Sequence, residues 1–189
     1  MNKFLIALVL SVASLTAVAG PASIALEFEN EQVEGNSGKD VNSLSIIPGY
    51  VLENGVKLDV KLKGSQVDGN NATTTTIEPR VKYLYAVTPQ IAIGGRVSLG
   101  EVYASTGNYS FYTIEPIAVY SFNDKWAGTA SVKYKDGTGN VGAESWTTYL
   151  GGAYKVTDSQ IVSAKVYHRE PTASNVDSNG IEVNYAIGF

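Results

Sequence analysis

Ile181-Glu182-Val183-Asn184-Tyr185-Ala186-Ile187-Gly188-Phe189 decides how the rest of the chain is read. Its odd positions are all apolar or aromatic; the flanking and intervening even positions are Gly, Glu, Asn, Ala and Gly. A two-residue period places alternate side chains on opposite faces of a strand, one greasy and one polar. The stretch ends with Phe189 on the greasy face. A soluble strand rarely leaves such a residue bare, whereas a strand lying against lipid has reason to.

The opposite end agrees. Met1-Asn2-Lys3 is a short basic start, Phe4 to Val12 is almost unbroken apolar sequence, and Thr16-Ala17-Val18-Ala19 carries small residues at the spacing of a signal-peptidase site. The expected leader is 1–19, cleaved after Ala19 (Ala22 is the alternative), with one domain over 20–189. The apolar run is too short to cross a bilayer of about 30 Å as a helix, and no other long one follows. The chain has no Cys, hence no acylation, disulfide or thiolate metal site. With 19 Gly, 12 Tyr and 17% charged residues it has the composition of a β protein with tight turns.

Ten strands are predicted, at 22–29, 41–52, 56–65, 74–87, 91–100, 111–122, 126–135, 145–156, 161–169 and 180–189. Short connections beginning at Glu53, Thr88, Asn123 and Thr157 alternate with long ones rich in Gly, Asn, Ser and Asp. That spacing is a hairpin repeat. The expected fold is all-β, a transmembrane up-and-down antiparallel β-barrel of ten strands, with eight or twelve as alternatives. An even count places both termini on the periplasmic side of a bacterial outer membrane.

Alternation alone also fits a soluble barrel with its apolar face inward. The aromatics argue for the membrane. Tyr50, Tyr83, Tyr85, Tyr120, Phe122, Trp126, Tyr154 and Phe189 gather at the short-turn ends, and Phe28, Tyr112, Tyr134 and Trp146 at the loop ends. Two such girdles mark the two membrane interfaces. Leu58, Val60, Leu62, Ile77, Val81, Ile93, Val97, Val183 and Ile187 are then expected to face lipid. Pro48, Pro79 and Pro116 fall inside strands, where each predicts a bulge or kink. Two belong to a repeated phrase, Thr76-Ile77-Glu78-Pro79 and Thr113-Ile114-Glu115-Pro116, readable as hairpin duplication or as a matched lumen pair.

The polar faces assign the lumen. Inward bases are Lys57, Lys61, Lys63, Arg80, Lys82, Arg96, Lys133, Lys135, Lys155, Lys165 and Arg169; inward acids are Glu27, Glu29, Asp59, Glu78, Glu115 and Glu182. Eleven bases against six acids leave a surplus of five, although the whole chain is at −4. A register that sets Lys61 opposite Glu78 also sets Asp59 opposite Arg80, both favourable cross-strand pairs. Pairing would leave Lys57, Lys63, Lys82, Lys133 and Lys135 without acids. Two functions fit. One is a narrow channel for small anionic solutes, since rings of Lys and Arg set pore selectivity. The other is a plugged structural barrel whose acidic loops meet an external partner.

The ending Tyr185, Ile187, Phe189 resembles the C-terminal assembly signal of bacterial outer-membrane proteins. That implies periplasmic chaperones, the barrel assembly machinery, and lipid with lipopolysaccharide as partners. Ala22-Ser23-Ile24, Gly38-Lys39-Asp40, Asn54-Gly55 and the two Ile-Glu-Pro phrases resemble the monomeric oligogalacturonate-specific porins. That family consists of narrow barrels with a basic lumen that take up acidic oligosaccharides. The resemblance implies a small monomeric outer-membrane channel. The chain departs from the family in having ten strands rather than twelve. Its arginines are reduced to Arg80, Arg96 and Arg169, and Lys lacks the bidentate carboxylate fork of Arg.

An enzyme is not expected, and neither is a cofactor or a nucleic-acid partner. His168 is the only His; it could serve a barrel hydrolase with Ser174, Ser178 or Glu170, or simply sit at the interface. No zinc cluster is possible with one His and no Cys. Loop acids Glu31, Glu34 and Asp40 read as a solvated rim or a divalent-cation site. Gly94-Gly95 and Gly151-Gly152 read as strand bends or packing relief.

Overall fold

In a computed structural model, the described residues are 22–34, 40–69, 73–105, 107–138, 143–172 and 176–189. The expected leader, Gly38-Lys39 and Ser174 lie outside them. Within them are ten strands: β1 (Ala22–Val33), β2 (Asp40–Val51), β3 (Lys57–Val67), β4 (Thr73–Ala86), β5 (Ile91–Tyr103), β6 (Tyr109–Ser121), β7 (Trp126–Gly137), β8 (Ser145–Thr157), β9 (Gln160–Pro171) and β10 (Ser178–Gly188). All neighbours are antiparallel, and β1 closes onto β10 from Ser23–Gly188 to Val33–Ser178. The strands run further toward the long loops than the sequence predicted, because pairing continues through polar residues such as Glu31 and Gln32 once a neighbour is present.

The short turns repeat one device. Asn54 Oδ1 accepts from the Val56 N–H, Thr88 Oγ1 from those of Gln90 and Ile91, Asn123 Oδ1 from those of Lys125 and Trp126, and Thr157 Oγ1 from that of Ser159. A side chain bonding its own backbone two residues on holds a tight turn without a longer loop. Gly55 supplies the positive φ of 82° that the first turn needs.

Closure fixes the strand tilt. Cross-strand partners lead from Ala22 through Tyr50, Leu58, Val81, Val97, Ile114, Tyr134, Trp146 and Glu170. The row returns to β1 at Glu34, whose N–H donates to the Asp177 carbonyl at 2.8 Å. The return is 34 − 22 = 12 residues along from Ala22. Twelve residues of stagger over ten strands corresponds to a tilt of about 40°, at roughly 3.3 Å per residue and 4.8 Å between strands.

The wall is inside-out relative to a soluble protein. Leu99 is 69% exposed, while Ser98 beside it is 6%. Phe28, Leu58, Ile77, Val81, Ile93, Val97 and Val183 are likewise exposed; the exposed aromatics include Tyr50, Tyr83, Tyr85, Tyr120, Phe122, Trp126 and Trp146. The buried set is dominated by Glu, Ser, Thr, Asp, Lys and Arg. An apolar exterior around a polar interior suits a hydrocarbon surround, which cannot hydrogen-bond.

The prolines do not make bulges. The ladder from β2 to β3 is interrupted between Ile46–Leu62 and Gly49–Asp59, that from β4 to β5 between Ile77–Glu101 and Arg80–Ser98, and that from β6 to β7 between Ile114–Tyr134 and Ile117–Ser131. Pro48, Pro79 and Pro116 each lie in one of these gaps, and the register resumes unchanged beyond it. Each proline removes a donor without adding a residue. The register shift that does occur is between Lys155 and Thr157, against β9.

Inward glycines make room for large side chains opposite them. A Cβ on Gly100 would collide with the Phe111 ring, one on Gly180 with Tyr167, and one on Gly151 with Lys165. These are direct cross-strand partners, so the long residue lies down across the glycine and fills the lumen.

Candidate functional site in the lumen

Alternation projects Glu27, Glu29 and Glu31 inward from β1, Lys57, Asp59, Lys61 and Lys63 from β3, and Glu78, Arg80 and Lys82 from β4. Arg96 comes from β5, Glu115 from β6, Lys133 and Lys135 from β7, Lys165 and Arg169 from β9, and Glu182 from β10. Glu27, Lys61, Glu78, Arg80, Arg96, Glu115, Lys165 and Glu182 sit near the centres of their strands, and they form a crossing layer of charge.

That layer is densely bonded. Lys61 pairs with Glu27, and Arg80 with Asp59. Glu115 Oε2 accepts from Arg96 Nε at 2.9 Å and Nη2 at 2.5 Å, while its Oε1 accepts from Ser131 Oγ at 2.7 Å. Lys165 Nζ donates to Glu182 at 2.7 Å. Ser98 Oγ lies 2.6 Å from both Glu78 Oε1 and Thr113 Oγ1. Glu115 is only 2% exposed, while its partner Arg96 and the neighbouring Lys165 stay partly accessible. Removing these charges from water is costly, and their mutual hydrogen bonds are what offset it.

Toward the long loops a second cluster gathers. Arg169 Nη1 donates to both oxygens of Glu31 at 2.7 and 2.8 Å, Ser178 Oγ donates to Glu31 at 2.6 Å, and Tyr167 OH donates to Glu29 at 2.7 Å. Lys63 Nζ donates to Glu29 at 2.6 Å. A chamber of about 290 Å³ opens here; its walls include Lys61, Lys63, Lys133, Lys135, Arg169, Glu78 and Glu144, with Tyr109, Phe111 and Tyr149. Lys133 Nζ donates to Tyr149 OH at 2.6 Å, and Lys135 Nζ stands 4.2 Å from the Phe111 ring centre.

Three expectations need correction. Lys63 is not left over, because Glu29 reaches it from β1 across the intervening strand β2. Lys61 does stand opposite Glu78 in register, yet its ion pair is with Glu27. Glu31 is not a loop acid; it is 8% exposed and held inside by Arg169. Among the described residues, the inward cations without a carboxylate within 4.0 Å are Lys82, Lys133 and Lys135, while Lys57 Nζ is 4.0 Å from Asp59.

The sequence reading missed the inward aromatics Phe111, Tyr149 and Tyr167. Their parity was the available signal: Tyr149 and Tyr167 share a face with Thr147 and Lys165, not with Trp146 and Val166.

Away from the lumen, His168 faces outward near the loop end of β9. Its Nδ1 lies 2.9 Å from Asn179 Oδ1 and its Nε2 3.4 Å from Glu170. Ser178 bonds Glu31 on the opposite face of the wall, which removes it as a partner for this ring. Among the described residues no group of three or more His, Cys, Asp or Glu is placed to hold a metal. Asp40 and Glu34 accept instead from Asn30 and Asn179. Tyr185 and Ile187 stand in register with Leu26 and Ile24, and the Phe189 N–H donates to the Ala22 carbonyl at 2.9 Å.

No protein-family model matches the chain, and no curated protein matches it by sequence. Solved structures do. A KdgM porin in complex with disordered oligogalacturonate is 13% identical at a TM-score of 0.50, covering 87% of this chain and 99% of that one. The transport unit of the autotransporter AIDA-I from Escherichia coli is 8% identical at 0.57, covering 93% and 92%. The translocator domain of the autotransporter NalP from Neisseria meningitidis is 12% identical at 0.54, covering 98% and 95%. At such identities the likeness is one of fold. The chain has the fold of bacterial outer-membrane β-barrels, porins among them, in a ten-stranded form.

Proposed function

We propose that the protein is a narrow, monomeric outer-membrane channel for small anionic solutes, delivered to the membrane by the leader at 1–19. The observation that carries this reading is the set of inward cations without ion pairs: Lys82 on the short-turn side of the central layer, Lys133 and Lys135 on the long-loop side. An ammonium group held inside a barrel without a carboxylate needs water or a mobile anion beside it. The Lys155 ammonium, expected inward, is instead paired with Asp158 of the exposed short turn, so the lumen carries ten bases and, with Glu31 included, seven acids, and the surplus favours anions over cations.

Planar-bilayer recording under a salt gradient tests the reading. The expected result is a small unitary conductance with a reversal potential on the anion side. Replacing Lys133 and Lys135 together by Glu moves that potential toward cations. Lys63 is unsuited to this test because it is already ion-paired with Glu29. A second reading, a closed structural barrel, is favoured by the dense ion pairing of the central layer. Absence of conductance from correctly folded protein would establish it in place of the channel.

A further inference from the structure

Lys57, Lys82 and Arg96 are consecutive cross-strand partners on β3, β4 and β5, and all three project into the lumen near the short-turn end. Directly opposed residues have Cα atoms about 4.5–5.5 Å apart, and like charges so placed are destabilising. Three cations in one row are therefore a standing cost to the fold. Their counter-charges are few. Asp59 is engaged by Arg80, with Lys57 at 4.0 Å, and Glu115 takes Arg96 through Nε and Nη2. Lys82 has no acceptor among the described residues.

Space accompanies the charge. Ile117 and Val119 of β6 and Lys155 of β8 are large residues at inward positions of this end, but six others are small: Gly94, Ala127, Thr129, Gly151, Ala153 and Ala186. None of these six is fully buried, and the Lys57 side chain is 34% exposed. The result is a vestibule with short side chains on β5, β7, β8 and β10 and long cationic arms from the adjacent β3 and β4. Its far side is bounded by the bonded layer around Glu115.

We propose that this row is a binding site for a small multivalent oxyanion, inorganic phosphate or a phosphomonoester, entering from the short-turn side. Lys57 and Lys82 supply mobile ammonium donors, and Arg96 offers Nη1, which Glu115 leaves unengaged. One dianion there would turn three mutually repelling charges into three ligands. The site lies in the same lumen as the proposed channel, but it is filled whether or not ions pass through.

Calorimetric titration of the folded barrel in detergent micelles, with inorganic phosphate at constant ionic strength in chloride, separates the two ideas. Wild-type protein is expected to bind phosphate. Lys82→Gln should weaken that binding about tenfold, the scale for losing one hydrogen bond to a charged group. Lys125→Gln removes the same charge from an exposed turn on the same rim and should change nothing. Urea unfolding supplies a readout that a merely structural lysine would not reproduce. Without phosphate, the Lys82→Gln barrel should be at least as stable as wild type, and phosphate should stabilise wild type far more. Absence of phosphate binding, or equal binding by Lys82→Gln and wild type, overturns the site even if the barrel conducts. Binding without conductance leaves the site and removes the channel.

Discussion

Placing an arginine at Val97 tests the orientation of the wall, on which every assignment of the lumen depends. Val97 is the seventh of 13 residues in β5 and is 51% exposed. Its partners on either side, Val81 and Ile114, are exposed as well. A 13-residue strand tilted by about 40° rises roughly 33 Å, so its middle residue lies close to the bilayer midplane. A guanidinium on the lipid face at that depth costs about 2–4 kcal/mol, falling to about 0–1 kcal/mol near the interfaces. Val87, at the short turn after β4 and 52% exposed, provides the shallow comparison. Equilibrium urea unfolding of Val97→Arg and Val87→Arg in phospholipid vesicles should therefore differ by about 2–3 kcal/mol, by the same depth dependence. The emission of Trp126 and Trp146, both on the outer face, reports the transition. Equal costs at the two sites would mean that Val97 faces water and that the inside-out assignment is wrong.

Two further tests address the interior. Arg96→Ala leaves Glu115 buried with Ser131 as its remaining partner, which should cost about 3–5 kcal/mol in urea unfolding; the double variant Arg96→Met/Glu115→Leu should recover most of that. Gly180→Ala drives a methyl into the Tyr167 ring and the Asn30 carbonyl, so a loss of about 1–3 kcal/mol is expected from thermal melting. A Tyr167→Phe background, which keeps the ring, should not relieve it.

The fold was legible because a barrel wall writes itself in parity. Each strand has two faces in contrasting media, so apolar and polar residues separate at period two, and the turn residues Asn54, Thr88, Asn123 and Thr157 mark the hairpins. Strand ends facing the long loops were less legible, since beyond the membrane both faces are polar and the alternation fades. The lumen was readable as a list of inward residues but not as a set of partners. Parity says that Lys63 points inward; it does not say that Glu29, two strands away, will reach it. Side chains crossing a barrel meet over distances that direct cross-strand pairing does not capture. Glu31 was lost for a related reason: a Glu in a run of polar residues reads as loop until Arg169 and Ser178, far away in the chain, claim it.

The proline gaps give the barrel an uneven stiffness. Backbone hydrogen bonds are the hoops of such a cylinder, and three of them are cut at Pro48, Pro79 and Pro116, all between β2 and β7. The seam between β1 and β10, by contrast, is continuous over eleven residue pairs. Glu78 and Glu115 immediately precede two of these prolines, so the cuts fall beside the charged layer that crosses the lumen. Compliance and charge thus coincide: the cylinder yields most readily to hoop strain at the height of its ion-paired layer, and only between β2 and β7.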